Sequence, residues 1–194
     1  MNEYLIDEED IYGKEYIEEN LDNIKIKNKT ISNCLFNKTN LSNSNYDNIF
    51  LEKLKFTNCD LSNIKFNECS IKNTTFDNCK LVGTFFDHCH LENVTFTNCN
   101  CRYLNTIESK IKKSSIIKSD FSESSFYKVE INNLKLDNVN FSSSEFYKTP
   151  LTKIDFSNSE IKGIKLTNDS MQGMQVNTYQ AIELSKLLGI DIIE

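Results

Sequence analysis

The residue types with the most chemistry in this 194-residue chain are seven cysteines and two histidines. Thiols and imidazoles bind transition metals, and accessible thiols also undergo redox reactions. Six of the cysteines are spaced by multiples of five residues, at Cys34, Cys59, Cys69, Cys79, Cys89 and Cys99. His88 and His90 flank Cys89, so this stretch is the best candidate for a metal site.

A structural role explains the cysteines better. The same five-residue series holds other small side chains, among them Thr39, Ser44, Thr74 and Ser114. A series filled by Cys, Ser and Thr alike indicates a small interior side chain, and buried structural thiols are usually inert. No second cluster near His88 offers further ligands. We therefore predict no metal and no other cofactor.

Two absences bear on location. The first ten residues carry an acidic block and neither the basic nor the apolar region of a signal peptide, which predicts a cytoplasmic protein with reduced thiols. No apolar run of about 18 residues occurs, so no membrane span or membrane partner is expected.

Large apolar residues recur at every fifth position. From position 31 to position 176, 28 of the 30 places in this series are Leu, Ile, Val, Phe, Tyr or Met, and the other two are Cys101 and Thr106. Two residues before each of these central places stands another apolar or small residue. Neither a helix nor a simple strand has period five. A short period sustained over this length indicates a solenoid.

The repeat resembles that of the pentapeptide-repeat family, with its consensus A-[DN]-L-x-x. The resemblance implies an all-β fold, a right-handed quadrilateral β-helix in which four pentapeptides make one coil and residues twenty apart stack. Residues 31–176 would then form a rod about 36 Å long, since neighbouring strands lie about 4.8 Å apart. A short C-terminal α-helix follows the solenoid in this prediction.

Residues 1–30 are predicted to be an N-terminal cap and a loosened first coil, because Glu9, Lys14 and Glu19 occupy places that suit a packed interior poorly. The acids between positions 7 and 22 have two interpretations. They are either a solvated cap that prevents edge pairing, or a contact for a basic partner surface.

Residues 100–110 interrupt the pattern. Cys101 and Thr106 stand at central places, Ile107 lies off the register, and Tyr103 takes a corner place. From Tyr103 to Lys128 no corner residue is Asn or Gly, which predicts a change of turn type. Two interpretations stay open at this point: a continuous but distorted coil with Leu104 inward, or a projecting loop.

Residues 177–194 have helical periodicity. Asn177 and Gln180 form a potential capping box, and an apolar face follows them. The end of a solenoid must be covered, so this segment is predicted to be a cap. Its surplus of apolar residues also favours pairing with a second copy.

The tail resembles the end of the Qnr quinolone-resistance proteins, at Gln172-Gly173, Tyr179-Gln180-Ala181, Leu184 and Leu188-Gly189-Ile190. That resemblance implies a homodimer joined tail to tail, binding of DNA gyrase and topoisomerase IV, and protection from quinolones. It implies a topoisomerase contact on a loop at Arg102, Tyr103, Leu104, Asn105 and Ile107. The implied dimer contacts are Tyr179, Leu184, Leu187, Leu188 and Ile190. An earlier loop of many Qnr proteins has no counterpart here, because the register is unbroken through Leu51.

No enzyme motif is visible, so the chain is predicted not to be an enzyme. The leading hypothesis is non-enzymatic binding of a type II DNA topoisomerase, with no direct contact to nucleic acid. DNA mimicry along the whole rod is disfavoured, because residues 31–176 hold 16 acidic and 17 basic residues, whereas a duplex of that length carries about 21 phosphates. Mimicry would have to be partial. The rival hypothesis is a generic repeat protein with an unrelated partner.

Overall fold

The computed structural model describes residues 10–190 and 192–193. The chain winds into a solenoid of about eight parallel coils and ends in a short helix, which confirms the predicted fold class. The strands are β1 (Asp10–Tyr12), β2 (Glu15–Ile17), β3 (Lys25–Lys27), β4 (Thr30–Ser32), β5 (Leu35–Asn37), β6 (Asn45–Asp47), β7 (Phe50–Glu52), β8 (Lys55–Thr57), β9 (Lys65–Asn67), β10 (Ser70–Lys72), β11 (Thr75–Asp77), β12 (Phe85–Asp87), β13 (His90–Glu92), β14 (Thr95–Thr97), β15 (Asn105–Ile107), β16 (Lys110–Ile117), β17 (Ser125–Tyr127), β18 (Glu130–Asp137), β19 (Glu145–Tyr147) and β20 (Lys165–Leu166). The helices are α1 (Asn168–Met171) and α2 (Thr178–Leu187).

Each coil has four short sides that bond to the same sides of the next coil. The first and second sides form one twelve-stranded sheet, because β16 and β18 run through the corner between them. The third side is a column of single parallel bridges that begins with Asn20 and Asn40. The fourth side is an eight-stranded sheet from β3 to β20. Every pair joins residues twenty apart, as the resemblance to pentapeptide repeats implies.

The core is built from stacked rings. Phe76 is buried between Phe56 and Phe96, with ring centroids 4.9 and 5.0 Å away and the planes nearly parallel. A second stack runs through Phe66 and Phe86. Both stacks end where the chain supplies smaller residues, at Thr106 and Ile116. A cavity of about 30 Å³, lined mainly by apolar side chains, lies at this change of packing.

The corners share one backbone conformation. Corner residues have a positive φ, between +43° and +70°, whether they are Asn, Gly, Lys, Glu or His. The predicted change of turn after Tyr103 is therefore wrong at the level of φ, since the corners from Tyr103 to Lys128 keep values of 43–59°. The reason is that the corner N–H donates to the next coil, as Tyr103 does to the Ser122 carbonyl at 3.2 Å. This bond holds the left-handed conformation even where the side chain disfavours it.

The solenoid begins earlier than residues 31–176. Ile11, Leu21 and Ile26 are buried, and β1 pairs with β4 in the regular register. The predicted loosened coil over residues 1–30 is thus wrong for residues 10–30. Lys14 is exposed and Glu19 is half-buried there, although both occupy places that are buried in the later coils. Residues 1–9, including part of the predicted cap and acidic block, lie outside the described residues.

The C-terminal end departs from the repeat. Helix α1 replaces a strand, and Ser170 takes the buried place predicted for Met171, which is only half-buried. The Ser170 hydroxyl donates to the Phe146 carbonyl at 3.1 Å and accepts from the Thr149 N–H at 3.1 Å. The strands of the solenoid therefore end at β20, about ten residues before the predicted boundary at residue 176.

Candidate interaction surfaces

The segment 102–107 is a continuous part of a coil. Cys101, Leu104 and Thr106 point inward and are buried. Asn105 and Thr106 pair with β12 on one edge and with β17 on the other. Of the two interpretations of residues 100–110, the structure thus has the coil and not the projecting loop. Ile107 lies one place after the central Thr106 and is only half-buried, so it is outside the inward five-residue series as predicted, and it pairs in the sheet with Asp87 and Tyr127.

Only some of the five residues of the expected contact are accessible to a partner. Leu104 is only 2% exposed, so it packs in the core and is unavailable to a partner. The Asn105 amide donates to the Tyr103 carbonyl at 3.2 Å, which closes the corner. Arg102, Tyr103 and Ile107 keep accessible surface, and Tyr103 is 45% exposed. The inward place of Leu104 was readable from the register, since it lies two residues before a central position.

Arg102, Tyr103 and Glu123 form one polar group at the corner between the third and fourth sides. Arg102 Nη2 donates to Glu123 Oε1 at 2.7 Å and to the Tyr103 hydroxyl at 3.2 Å. The guanidinium also lies 5.2 Å from the Tyr103 ring centroid. Hydrogen bonding to Arg102 lowers the pKa of Glu123, and the same bond raises the pKa of Arg102. The group fixes Tyr103 as a rigid exposed ring, a type of residue that often anchors an interface.

The fourth side carries an aromatic column that the sequence analysis missed. Ile107, Tyr127 and Tyr147 occupy the same place in successive coils. The two tyrosine rings stack at 5.3 Å, and Lys128 and Lys148 lie 5.1 and 5.5 Å from the ring centroids of Tyr127 and Tyr147. We call Ile107, Tyr127 and Tyr147 the tyrosine column. In the sequence these three residues are twenty positions apart, and each directly follows a central residue of the repeat.

The thiols and histidines do not form a metal centre. All seven cysteines are free and buried, and burial raises the pKa of Cys101. His88 Nδ1 lies 2.7 Å from Asp87 Oδ1, and its Nε2 lies 3.1 Å from Glu108 Oε2. The Asp87 carboxylate, with Glu108, raises the pKa of His88. Within the described residues, no three His, Cys, Asp or Glu side chains are grouped closely enough to hold a metal ion.

Three acidic residues of the first described coil make hydrogen bonds or an ion pair. The Asp10 carboxylate accepts from the Thr30 N–H at 2.7 Å, and Glu18 pairs with Lys38 at 2.9 Å. Asp22 accepts hydrogen bonds from the amides of Asn20 and Asn23. Asp10 and Glu18 are therefore bonded to the second coil and Asp22 to its own coil.

Helix α2 covers the end of the solenoid through two residues. The capping box is present, because the Asn177 side chain accepts from the Gln180 N–H and the Gln180 side chain accepts from the Asn177 N–H. The buried Gln180 amide also donates to the carbonyls of Phe156 and Ser159 at 2.8 and 2.7 Å. Leu184 packs half-buried against the core. The sequence indicated Gln180 only as part of a helix capping box and did not indicate its hydrogen bonds to the end of the solenoid.

The rest of the tail presents apolar side chains to solvent. Tyr179 is 82% exposed, and Leu187, Leu188 and Ile190 are each about half exposed. Ile182, Ile192 and Ile193 extend this surface and were not among the expected contacts. We call these seven residues the apolar end. Leu184 is the one expected dimer contact that the solenoid itself partly covers. No helix among the described residues has the length and apolar character needed to cross a membrane.

Residues 49–126 match the family model of the pentapeptide repeat region. No curated protein matches the sequence. Among solved structures, a trypsin-treated variant of QnrB1, described as a plasmid-mediated fluoroquinolone resistance protein, is 20% identical and has a TM-score of 0.42, with 95% of this chain and 100% of that chain covered. HetL, described as a pentapeptide repeat protein involved in heterocyst differentiation regulation in the cyanobacterium Nostoc, is 11% identical with a TM-score of 0.36, covering 89% and 91%. A pentapeptide repeat protein of the Arabidopsis thaliana thylakoid lumen is 15% identical with a TM-score of 0.23, covering 73% and 71%.

Stacked coils of four pentapeptides with inward rings and left-handed corners define a β-solenoid built from five-residue repeats. The matched region lies in its middle, and the same register continues on both sides of it. Residues 49–126 thus carry the pentapeptide repeat, and the five-residue register of the solenoid extends beyond them.

Proposed function

We propose that this protein binds a type II DNA topoisomerase, either DNA gyrase or topoisomerase IV, protects it from quinolones, and catalyses no reaction. The observation that carries the proposal is the tail with its Qnr-like motif. Gln180 and Leu184 of that motif hold the cap on the solenoid, whereas Tyr179, Leu188 and Ile190 have no such role within the chain. Because these three side chains are not needed to cover the solenoid, they are available for contact with another protein chain. A topoisomerase partner implies the cytoplasm as the site of action.

The apolar end supports a homodimer. Seven apolar side chains at one end of the rod form an exposed surface of the kind that marks protein interfaces. A two-fold axis through this end would join two rods of about 38 Å each, at 4.8 Å per coil. The dimer would then present a tyrosine column and an Arg102 corner on each half.

The contact with the enzyme is assigned to the Arg102 corner and the tyrosine column. Tyr103, Tyr127 and Tyr147 are rigid aromatic groups with basic residues beside them, and Tyr and Arg are the commonest interface anchors. Arg102, Tyr103 and Ile107 of the expected contact therefore remain in the proposed contact, whereas Leu104 is excluded because it is buried.

Charge pairing limits DNA mimicry. Successive coils place Glu18 beside Lys38 and Asp60 beside Lys80 at 2.9 and 3.2 Å, and further pairs follow on other sides. Such pairs cancel the field of isolated carboxylates. Partial mimicry would thus have to use a short patch, and recognition by shape and aromatic contact fits the surface better.

The test uses purified gyrase with a relaxed plasmid and a quinolone. Wild-type protein should reduce quinolone-dependent cleavage. The double variant Arg102→Ala and Tyr103→Asn should lose most of this effect while its unfolding curve stays within experimental error. A matched control is Lys80→Ala, an exposed residue on the third side, which should protect as well as wild type. If wild-type protein leaves both cleavage and supercoiling unchanged, the topoisomerase proposal is wrong and the unrelated-partner alternative takes its place.

A further inference from the structure

The second edge of β18 is open. The earlier strands of the first and second sides pair with a following coil, but β18 pairs only with β16. The corner N–H groups of Asn73 and Asn93 each donate to the following coil at 3.0 Å, whereas the equivalent N–H of Asn133 makes no such bond. The structure describes all of residues 130–157.

The second half of β18 also lacks hydrogen bonds to the following coil. At its corner, Asn78 and Asn98 donate to the next coil at 2.9 and 3.0 Å, but Asn138 does not. Ser115 donates to the Val94 carbonyl at 3.0 Å, while the equivalent Leu134 carbonyl accepts nothing from residue 155. The described residues thus leave a row of main-chain donors and acceptors unpaired on one edge.

Pro150 explains why the ladder stops. At the equivalent place in the two preceding coils, Lys110 and Glu130 donate their N–H groups backward at 2.8 and 3.0 Å. Proline has no N–H to donate, so the bond to the Val129 carbonyl is lost. The Val129 N–H keeps its regular bond, donating to the Thr149 hydroxyl at 3.0 Å as the Cys89 N–H donates to the Ser109 hydroxyl at 2.8 Å.

The chain after Pro150 fills the end of the core. Leu151, Ile154 and Phe156 are buried, and the Phe156 ring meets Phe141 at 5.4 Å and 57°. By contrast, the inward residues of β18 are only half-buried, at Ile131, Leu134 and Leu136. An open edge with half-exposed apolar side chains below it is a template for strand addition.

We propose that this edge binds an extended peptide segment of a partner protein, which adds as a strand to the second half of β18. The corner at Asn133, with φ of +57°, bends the edge. A straight peptide therefore fits along only one leg of the strand. The leg at 134–138 offers the Leu134 carbonyl, the Asn138 N–H and the half-buried side chains of Leu134 and Leu136.

The charges of this leg specify the peptide. Glu130 is paired with Lys110 at 3.0 Å, and Asp137 accepts from the Asn158 amide at 2.8 Å. Among the described residues Lys135 has no ion pair, although it is exposed on the outer face of the leg. The fitting segment thus alternates apolar residues with polar ones and places an acid beside Lys135, since opposite charges on facing strands attract.

The test is an NMR titration of the ¹⁵N-labelled full-length chain. The probe is a blocked heptapeptide of alternating Val and Thr with Glu at its centre. Amide signals of Leu136 and Asn138 should shift on binding, while that of Asn78, the paired equivalent, should not. The same peptide with Lys at its centre should bind about twofold to fivefold more weakly. N-methylation of alternate peptide amides should abolish binding.

Two variants control for the position of the charge. Lys135→Glu should reverse the preference between the Glu and Lys peptides. Lys55→Glu changes the equivalent place of a strand that is paired on both edges, so it should leave the preference unchanged.

Three outcomes would overturn the proposal. The first is an absence of shifts in β18 at millimolar peptide, and the second is equal binding of the N-methylated peptide. The third is hydrogen exchange at Asn133 and Asn138 in the free protein as slow as at Asn73 and Asn78, because the edge would then already be covered by a second copy or by residues 1–9.

Discussion

At the scale of single residues, the corners decide how much strain the solenoid carries. Glycine and asparagine adopt positive φ at low cost, but Lys53, Glu68 and Lys113 adopt it as well. The bond to the next coil keeps them there, so these positions hold stored strain that a better residue would release.

Lys53→Asn should therefore stabilise the protein by about 0.5–1 kcal/mol, because Asn tolerates the φ of +54°. Chemical denaturation measures the change. Lys55→Asn, two residues on in a strand, is the matched control and should bring no gain. Equal effects of the two variants would mean that the corner conformation is not what limits stability.

His88 gives a pH dependence. Its pKa is raised in the folded protein by Asp87 and Glu108, so the folded state favours the charged ring. The stabilisation is complete below the unfolded pKa of about 6.5 and is lost as the pH rises through the folded value. Stability should thus fall slightly from pH 6 to pH 8 through this group, and His88→Asn should flatten that part of the profile. NMR titration of the ring should give a pKa above 6.5, and a value below it would contradict the assignment.

At the scale of elements, the period of five predicted almost every inward side chain in the middle of the rod. It did so because burial of a stacked column leaves little choice of residue type at the central place. The same pattern offered an inward place for Leu104 only as the alternative to a partner contact, and the structure has Leu104 inward. It could not predict α1 or the open edge of β18, because these depend on one missing N–H at Pro150 and on how the last coil fills the core.

Phe76→Ala should cost about 3–5 kcal/mol, since it removes a buried ring from a stack of parallel rings. Thermal unfolding is the measurement. Thr75→Ala changes the neighbouring exposed residue of β11 and should stay within about 0.5 kcal/mol. An unchanged melting temperature for Phe76→Ala would be incompatible with the stacked core.

At the scale of the whole molecule, the two ends differ. The first described coil carries polar residues such as Asp10, which bonds to Thr30 of the next coil. The tail instead exposes the side chains of the apolar end. Sequence alone suggested both features, but it took Leu184 as a dimer contact. The structure packs Leu184 partly on the solenoid, because the capping box directs that face of α2 inward.

If the proposed homodimer forms through the apolar end, Leu188→Lys combined with Ile190→Lys should make the protein monomeric without loss of fold, because both side chains are about half exposed. Light scattering at micromolar concentration measures the mass. Glu183→Lys on the exposed face of α2 should leave the dimer intact. If the wild-type chain is already a monomer under these conditions, the apolar end serves another contact.

The twenty-residue register also governs how the chain folds. Each coil closes a loop of the same length on its neighbour, so every step of assembly carries a similar entropy cost and growth proceeds one coil at a time. The break after β18 interrupts this propagation, because the last coil shares bonds with its predecessor on only two sides. Residues 150–187 should consequently unfold as a separate cooperative unit before the strands from β1 to β18 separate. Hydrogen exchange at low denaturant concentrations measures this order of unfolding.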